Sequence, residues 1–478
     1  MRWTIVLQIL GIATCTVLPS AADHSDTTKP NFLVILCDDL GYGDLGCYGH
    51  PTIKTPQLDA LARQGWRLTD CYSAAPVCSS SRAGLLTGRT PSRVGVYDWI
   101  PGGNAMHLPA KEVTIAHRLK AAGYDTAMVG KWHCNGKFNS DAQPQPDDAG
   151  FDHWFATQNN ASPTHRNPNN FVRNGQRVGK TQGFSSHVVA EEGIRWLKSR
   201  TDKNRPFYLH VCFHEPHEPI DSPNAMVARY KANGATKKGE ALYFANVENM
   251  DAAVGKLMTA LDELKLADNT LVVFTSDNGP ETLNRYRGTW RSHGSPGPLR
   301  AMKLWMYDGG IRVPGIMRFP GRIRPGQEIA AAVASLDLMP TFCELAGVEP
   351  PKDRALDGAS ITPLFAGKPI TRKQPLFWHY FNALGEPKLA MRDGDWMLLA
   401  TVTGSHTKAG GGFTPERMEL IKTSRLKSYE LYNLVDDPSE KRDLAATDGD
   451  RVREMAAQLK EIWQQVQREG HDWRQDKS

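Results

Sequence analysis

A cysteine, three serines and an arginine open the segment Cys78-Ser79-Ser80-Ser81-Arg82, which runs on through a small apolar stretch to Thr87-Gly88-Arg89. The serines favour the start of a helix. Cys78 is therefore expected beside a helix N-terminus, where free N–H groups and the helix dipole attract negative charge. Arg82, one turn further on, points back towards the same place. The segment reads as an anion pocket with a sulfur-bearing side chain at its edge; a buried or disulfide-bonded cysteine beside a helix is the plainer alternative. Asp38-Asp39 and Asp277-Asn278 supply only oxygen donors. Adjacent carboxylates repel each other unless a cation lies between them, and an oxygen-only set suits a hard divalent ion, Ca2+ or Mg2+. Either pair alone would pass for a turn former. Together, at the ends of neighbouring strands, they favour a metal site.

These residues need a frame. Phe32–Cys37 is a continuous apolar run, the form of a strand buried on both faces of a parallel sheet. Thr126–Val129, Phe207–Phe213, Leu271–Thr275 and Ile311–Met317 read the same way. A helix is expected from Thr55-Pro56, with Thr55 as its cap, to Gly65, and others at Val113–Ala122, Ser185–Ser199 and Leu242–Leu264. The alternation predicts an α/β fold with a large, mostly parallel sheet flanked by helices. In such sheets reactive groups gather at the carboxyl ends of strands. Polar residues follow each apolar run here: Asp38-Asp39, then Lys131 and His133, then His214 and His217, then Asp277-Asn278. From about residue 370 the pattern shifts to Leu376–Tyr380, a hairpin signal at Arg392-Asp393-Gly394-Asp395, and Tyr429–Leu434. A last helix carries Val452, Met455, Leu459, Ile462 and Val466 on one face. The expected organisation is a catalytic domain over residues 30–370 and a C-terminal α+β subdomain over 371–478, a smaller antiparallel sheet plus a helix.

The segment from Cys78 to Arg89 resembles the signature of the type I sulfatases, usually Cys-x-Pro-x-Arg with a Leu-Thr-Gly-Arg-like tail; Ser80 stands here where proline is commonest. Other blocks resemble the family in the family's order. They are Gly130-Lys131-Trp132-His133, the His214-Glu215-Pro216-His217-Glu218-Pro219 loop, Lys303 with Asp308-Gly309-Gly310-Ile311-Arg312-Val313-Pro314, and Leu431-Tyr432-Asn433-Leu434 with Asp437-Pro438. The resemblance covers nearly all of the chain beyond its leader and implies an alkaline-phosphatase-like fold. It also implies that Cys78 is oxidised to 3-oxoalanine (formylglycine) by a formylglycine-generating or equivalent maturation enzyme. Asp38, Asp39, Asp277, Asn278 and the modified residue 78 would then hold calcium. In the implied reaction a hydroxyl of the hydrated aldehyde attacks the sulfur of a sulfate ester, while Arg82, Lys131, Lys303 and the metal neutralise charge. His217 protonates the leaving alcohol, and His133 takes a proton from the second hydroxyl, which ejects sulfate and restores the aldehyde.

The 478 residues carry 57 Lys+Arg against 52 Asp+Glu, a net +5 with no basic run or aromatic stripe, so nucleic acid is not an expected partner. Arg2, the apolar stretch Thr4–Leu18 and the small residues up to Ala22 read as a signal peptide over residues 1–22, and hence as a periplasmic or secreted protein. No later segment has the length of a stable membrane span. Cysteine spacing suggests neither a zinc site nor a disulfide scaffold.

Substrate contacts are expected from Asn159–Arg173 and Glu281–Arg300, with His214, Arg285, Arg287, Arg291 and His293 as candidates. Those residue types suit a sulfated saccharide, with an aryl sulfate as the simpler substrate; His214 could equally cap its strand. Two alternatives stand beside a sulfatase: a phosphate or phosphonate monoester hydrolase on the same fold, and a catalytically inactive, exported glycan-binding relative. One oxygen cluster without a second favours sulfate over phosphate. The intact set of Asp38, Asp39, Arg82, Lys131, His133, His217, Asp277 and Lys303 speaks against the inactive protein.

Overall fold

The computed structural model describes residues 29–281, 288–404 and 412–475, so the expected signal peptide, Arg285 and Arg287 lie outside the described residues. The central strands are β1 (Asn31–Asp38), β2 (Asp125–Lys131), β3 (His153–Thr157), β4 (Phe207–Pro216), β5 (Thr270–Ser276) and β6 (Gly315–Arg318). They lie in the order β6-β5-β1-β4-β2-β3 within a ten-stranded sheet. From β5 to β3 every pairing is parallel. The strands are buried along almost their whole length, which is why the sequence shows unbroken apolar runs rather than alternation.

Helices cover both faces: α1 (Pro56–Arg63), α2 (Cys78–Thr87), α3 (Ile115–Ala121), α4 (Ser185–Ser199) and α5 (Glu240–Glu263). Leu33 and Ile35 of β1 pack among Val189 and Ala190 of α4 and Val247, Met250 and Val254 of α5. Phe32, Val34 and Leu36 face the other way, into a core shared with α2, α3 and the C-terminal region. That region is a four-stranded antiparallel sheet of Leu376–His379, Leu389–Asp393, Trp396–Val402 and Leu426–Asn433. It is backed by α6 (Gly449–Glu469), which buries Met455, Leu459, Ile462, Trp463 and Val466.

Two local expectations are corrected. The run Ile311–Met317 is not one strand: Asp308–Ile311 form a helical turn, and β6 begins only at Gly315 and runs antiparallel to β5. Pro314, which has no N–H for a ladder, separates the two. The start of α1 is not capped by Thr55, whose hydroxyl instead accepts from Gly46 N and donates to Asp59. The carboxylate of Asp251 on α5 accepts the Gln57 and Leu58 N–H groups at 3.1 and 2.8 Å.

Candidate active site

The register of the parallel strands brings the polar residues together. Cys37 lies opposite Ser276, so the two residues that follow on each strand, Asp38-Asp39 and Asp277-Asn278, sit side by side. Lys131 ends β2. Gly130 beside it is required by close approach: at φ 106° its Cβ would fall 1.8 Å from the Cys212 carbonyl oxygen. Asp39 and His133 hold left-handed backbone, at φ 66° and 54°, which non-glycine residues adopt at a cost and which clusters at functional sites.

Helix α2 points its N-terminus into this strand end, and all its residues are buried. Cys78 is its first residue and the cap position is Val77, so the serines do not cap it. They tie neighbouring loops to its first turn instead. Ser79 Oγ accepts from Ile100 N at 3.0 Å, Ser81 Oγ accepts from Ala74 N at 3.3 Å, and Ser80 Oγ donates to the Asp98 carbonyl at 3.4 Å. Ser80 is third in the helix, where the backbone N–H has no intrahelical partner. Serine and proline are therefore interchangeable there as far as the helix is concerned.

The charged groups interlock. Arg82 donates to Asp277 Oδ2 through Nε at 2.9 Å and to the Lys131 carbonyl at 2.9 Å. Lys131 Nζ reaches Asp38 Oδ2 at 2.5 Å and Asn160 Oδ1 at 3.2 Å. Lys303 Nζ donates to both oxygens of Asp39. Asn278 Nδ2 donates to Asp39 Oδ1 at 2.7 Å, and His217 Nε2 stands 3.6 Å from Asp39 Oδ2. Burial opposes ionisation of Asp38, but Lys131, His217, Arg82 and Lys303 outweigh it and hold the carboxyl well below the usual range. Burial and the Asp38 charge push Asp277 up to about 7 in spite of Arg82. The ion pair with Arg82 favours a charged Asp277, and a divalent ion among these carboxylates would favour it further.

A divalent ion fits. One donor atom each of Asp38, Cys78 and Asp277 lie within 4.8 Å of one another, as do those of Asp38, Asp39 and His217. Asp38 Oδ1 and Asn278 Oδ1 are buried acceptors with no hydrogen-bond partner among the described residues. Hard oxygen donors of this kind suit Ca2+ or Mg2+.

The histidines differ in their tethers. His133 Nε2 donates to the Ile100 carbonyl at 3.1 Å, so Nδ1 is the lone-pair nitrogen, and it has no partner among the described residues. Burial, with Lys131 and Arg82 nearby, holds this ring neutral. His217 Nδ1 donates to the Glu218 carbonyl at 2.6 Å, leaving Nε2 towards the pocket. His214 is buried, with Nε2 2.8 Å from Thr157 Oγ1; that hydroxyl donates to the Asn159 carbonyl, so the imidazole N–H must donate to it. Arg291 does not stand free for substrate: its guanidinium pairs with Glu218 and donates to the Ile220 carbonyl. His293 Nε2 is taken up by the Lys238 carbonyl at 2.7 Å. Sequence reasoning missed Asn160, Glu218 and the Ile100 carbonyl as partners of site residues. The only local sign was that Glu218 and Asn160 lie in or beside the quoted blocks.

A helix N-terminus, three cations and a set of carboxylates at the end of a parallel sheet define an α/β enzyme whose site suits an anionic ester and whose carboxylates could hold a hard metal ion. The sulfatase model matches residues 30–348, and the model for the N-sulphoglucosamine sulphohydrolase C-terminal region matches residues 301–404. The chain belongs to the sulfatase family and hydrolyses sulfate esters. Human arylsulfatase A is 34% identical over 95% of this chain and 90% of its own length. N-acetylgalactosamine-6-sulfatase of Sus scrofa is 34% identical over 74% of this chain and 69% of its own. Among solved structures, Ps i-CgsB in complex with k-i-k-neocarrahexaose superposes with a TM-score of 0.77 at 28% identity, over 93% of this chain and 94% of that one. None of the helices among the described residues is long and apolar enough to cross a membrane.

Proposed function

We propose that this chain is an exported sulfatase acting on a sulfated carbohydrate, that Cys78 is converted to formylglycine by a maturation enzyme, and that Asp38, Asp39, Asp277 and Asn278 hold Ca2+ or Mg2+. The observation that carries this reading is the place of Cys78: first residue of a buried helix, with its sulfur within 4.8 Å of donor oxygens of Asp38 and Asp277. As a thiol it would be a poor nucleophile, because burial raises it to about 11 against the pull of Lys131 and Lys303. Formylglycine there would supply a hydrated aldehyde as nucleophile, and the divalent ion the positive charge that makes such a hydroxyl acidic.

The chain's own residues provide the rest. Arg82, Lys131 and Lys303 balance the charges of Asp38, Asp39 and Asp277, so a bound dication leaves a positive surplus for an anionic ester. Lys131 and Lys303 orient the sulfuryl oxygens, a task to which electrostatic preorganisation contributes most. His217, with Nδ1–H donating to the Glu218 carbonyl, turns Nε2 to the leaving alcohol and donates from it as the imidazolium, a form that burial opposes and Asp39 favours. His133 accepts a proton at Nδ1, since its Nε2 is committed to Ile100. The similarity to an N-acetylgalactosamine-6-sulfatase and to a structure holding a neocarrahexaose supports a sugar substrate. Residues 1–22 supply the export signal of this reading.

Mass spectrometry of the peptide containing residue 78 tests the maturation: the aldehyde should appear as a loss of about 18 Da from the cysteine form. Cys78→Ala should abolish hydrolysis of 4-nitrophenyl sulfate, and retained turnover would sink the mechanism.

A further inference from the structure

Among the described tryptophans only Trp99 and Trp290 are exposed, at 38% and 40%. Single exposed apolar side chains are ordinary. What sets these two apart is what holds them. Trp99 lies between Asp98 and Ile100. Asp98 is fully buried and accepts from Trp99 N at 2.8 Å, Tyr380 Oη at 2.8 Å and Asn382 Nδ2 at 3.2 Å. Ile100 is bound through its N–H to Ser79, next to Cys78, and through its carbonyl to His133 and Gln158. The backbone under Trp99 is thus clamped to the catalytic helix and to the proposed base, while the indole faces solvent.

Trp290 lies on the His217 side, where its neighbour is fastened through a side chain. It sits in the turn Thr289–Arg291, and Arg291 is fastened to Glu218, the residue after His217. Lys238 Nζ lies 4.5 Å from the centroid of the Trp290 ring, and Lys238 itself is exposed. An indole with an ammonium at its face offers a stacking plane for a sugar ring and a charge for an acidic substituent on it.

We propose that Trp99 and Trp290 are two sugar-stacking platforms flanking the catalytic pocket, so that the substrate is a sulfated oligosaccharide spanning both, with Lys238 pairing a sulfate or carboxylate on the ring at Trp290. The proposal rests on the carbohydrate-sulfatase reading. Rigid backbone under an exposed aromatic lowers the ordering cost of binding, since only the ligand loses freedom.

The test uses matured protein, 4-nitrophenyl sulfate as reporter, and chondroitin sulfate and ι-carrageenan tetra- to hexasaccharides as competitors against their sulfated monosaccharides. In the wild type, one oligosaccharide series should inhibit about tenfold more tightly than its monosaccharide. Trp99→Ala or Trp290→Ala should weaken that inhibition by about tenfold and leave kcat/KM for 4-nitrophenyl sulfate within about twofold. Trp290→Phe should recover most of the loss, and Lys238→Ala should weaken the oligosaccharides while leaving the monosaccharides unchanged. Equal inhibition by oligosaccharide and monosaccharide, or variants that slow the small ester as much as they weaken the oligosaccharide, overturns the platforms. Indole fluorescence of the Cys78→Ala protein reads binding without turnover. Retained, tryptophan-dependent binding with no release of sulfate from the oligosaccharides by the matured wild type overturns the carbohydrate-sulfatase reading alone.

Discussion

Lys303 lies across the carboxylate of Asp39, its Nζ 2.6 Å from Oδ1 and 2.7 Å from Oδ2. The ammonium therefore occupies the carboxylate that the proposed cation must share, and the two positive charges compete for it. Removing the ammonium has opposite effects on binding and turnover. Lys303→Ala is expected to lower kcat by about 100-fold, as loss of a preorganised positive group does. The same variant should bind Ca2+ more tightly by about tenfold, because Asp39 is released. Titration calorimetry with Ca2+, run beside the kinetics, checks both signs; weaker Ca2+ binding in the variant would show that Lys303 supports the cation rather than competing with it.

Chelation probes the carboxylates directly. Asp38 shares convergent donor atoms with Asp277 and with Asp39; Arg82, Lys131 and Lys303 balance the three charges, and an oxygen set so placed would also hold a divalent ion. A saturating ion at about 100 times its Kd stabilises the fold by about 2.7 kcal/mol. EDTA should lower Tm and abolish hydrolysis, and added Ca2+ should restore both. In Asp277→Asn the Ca2+-dependent part of the Tm should largely vanish. A Tm indifferent to EDTA in the wild type would place the ion elsewhere.

Much of this site could be read in the chain because parallel strands deposit their reactive groups just after each apolar run. Asp38, Lys131, His214 and Asp277 were found by that rule, and the register carries them to one edge. What could not be read are the partners supplied from far along the chain. Asp251 caps a helix 193 residues earlier, and Glu218 claims an arginine 73 residues later. No local pattern announces such a pairing, since each residue alone resembles a solvated charge. The serines after Cys78 misled for a related reason: their hydroxyls satisfy loop amides brought in by the fold, not the helix that they begin.

The Asp251 cap has a pH signature. Burial pushes its carboxyl up to about 7 against the two N–H donors of Leu58 and Gln57. The folded pKa is thus raised above the unfolded one, about 3.9. The stability it contributes is fully present below pH 4 and is lost as the pH rises through 7, by about 4 kcal/mol. Asp251→Asn keeps one acceptor, loses one cap bond at about 1 kcal/mol, and removes this slope. The variant should be less stable than the wild type at pH 5 and match or exceed it at pH 8. Urea denaturation at the two pH values decides it, and a constant difference between the proteins would rule the linkage out.

The loop that carries Lys303 is fastened by the C-terminal region. Glu440 is fully buried at φ 48°, its Oε2 accepts the Asp308 N–H at 2.8 Å, and its own carbonyl accepts from Arg300 at 2.7 Å. Arg300 and Asp308 bracket Lys303, and the turn that Asp308 begins also binds Gly279 N through the Gly310 carbonyl at 2.9 Å. Burial and the Asp308 charge raise Glu440 well above the usual carboxyl range, so the protonated acid is the form the fold prefers. Glutamine imitates that form. Glu440→Gln should keep near-normal kcat and should gain on the wild type in stability as the pH rises, because the wild type alone loses stability on ionising a buried carboxyl. Glu440→Ala strands the Asp308 N–H in the core and should cost about 1–3 kcal/mol. Its kcat should also fall, because the support of Lys303 is loosened. Denaturation curves across pH 5–8 with kinetics on the same samples separate the two variants; equal losses in both would mean that the carboxyl charge, not the hydrogen bond, does the fastening.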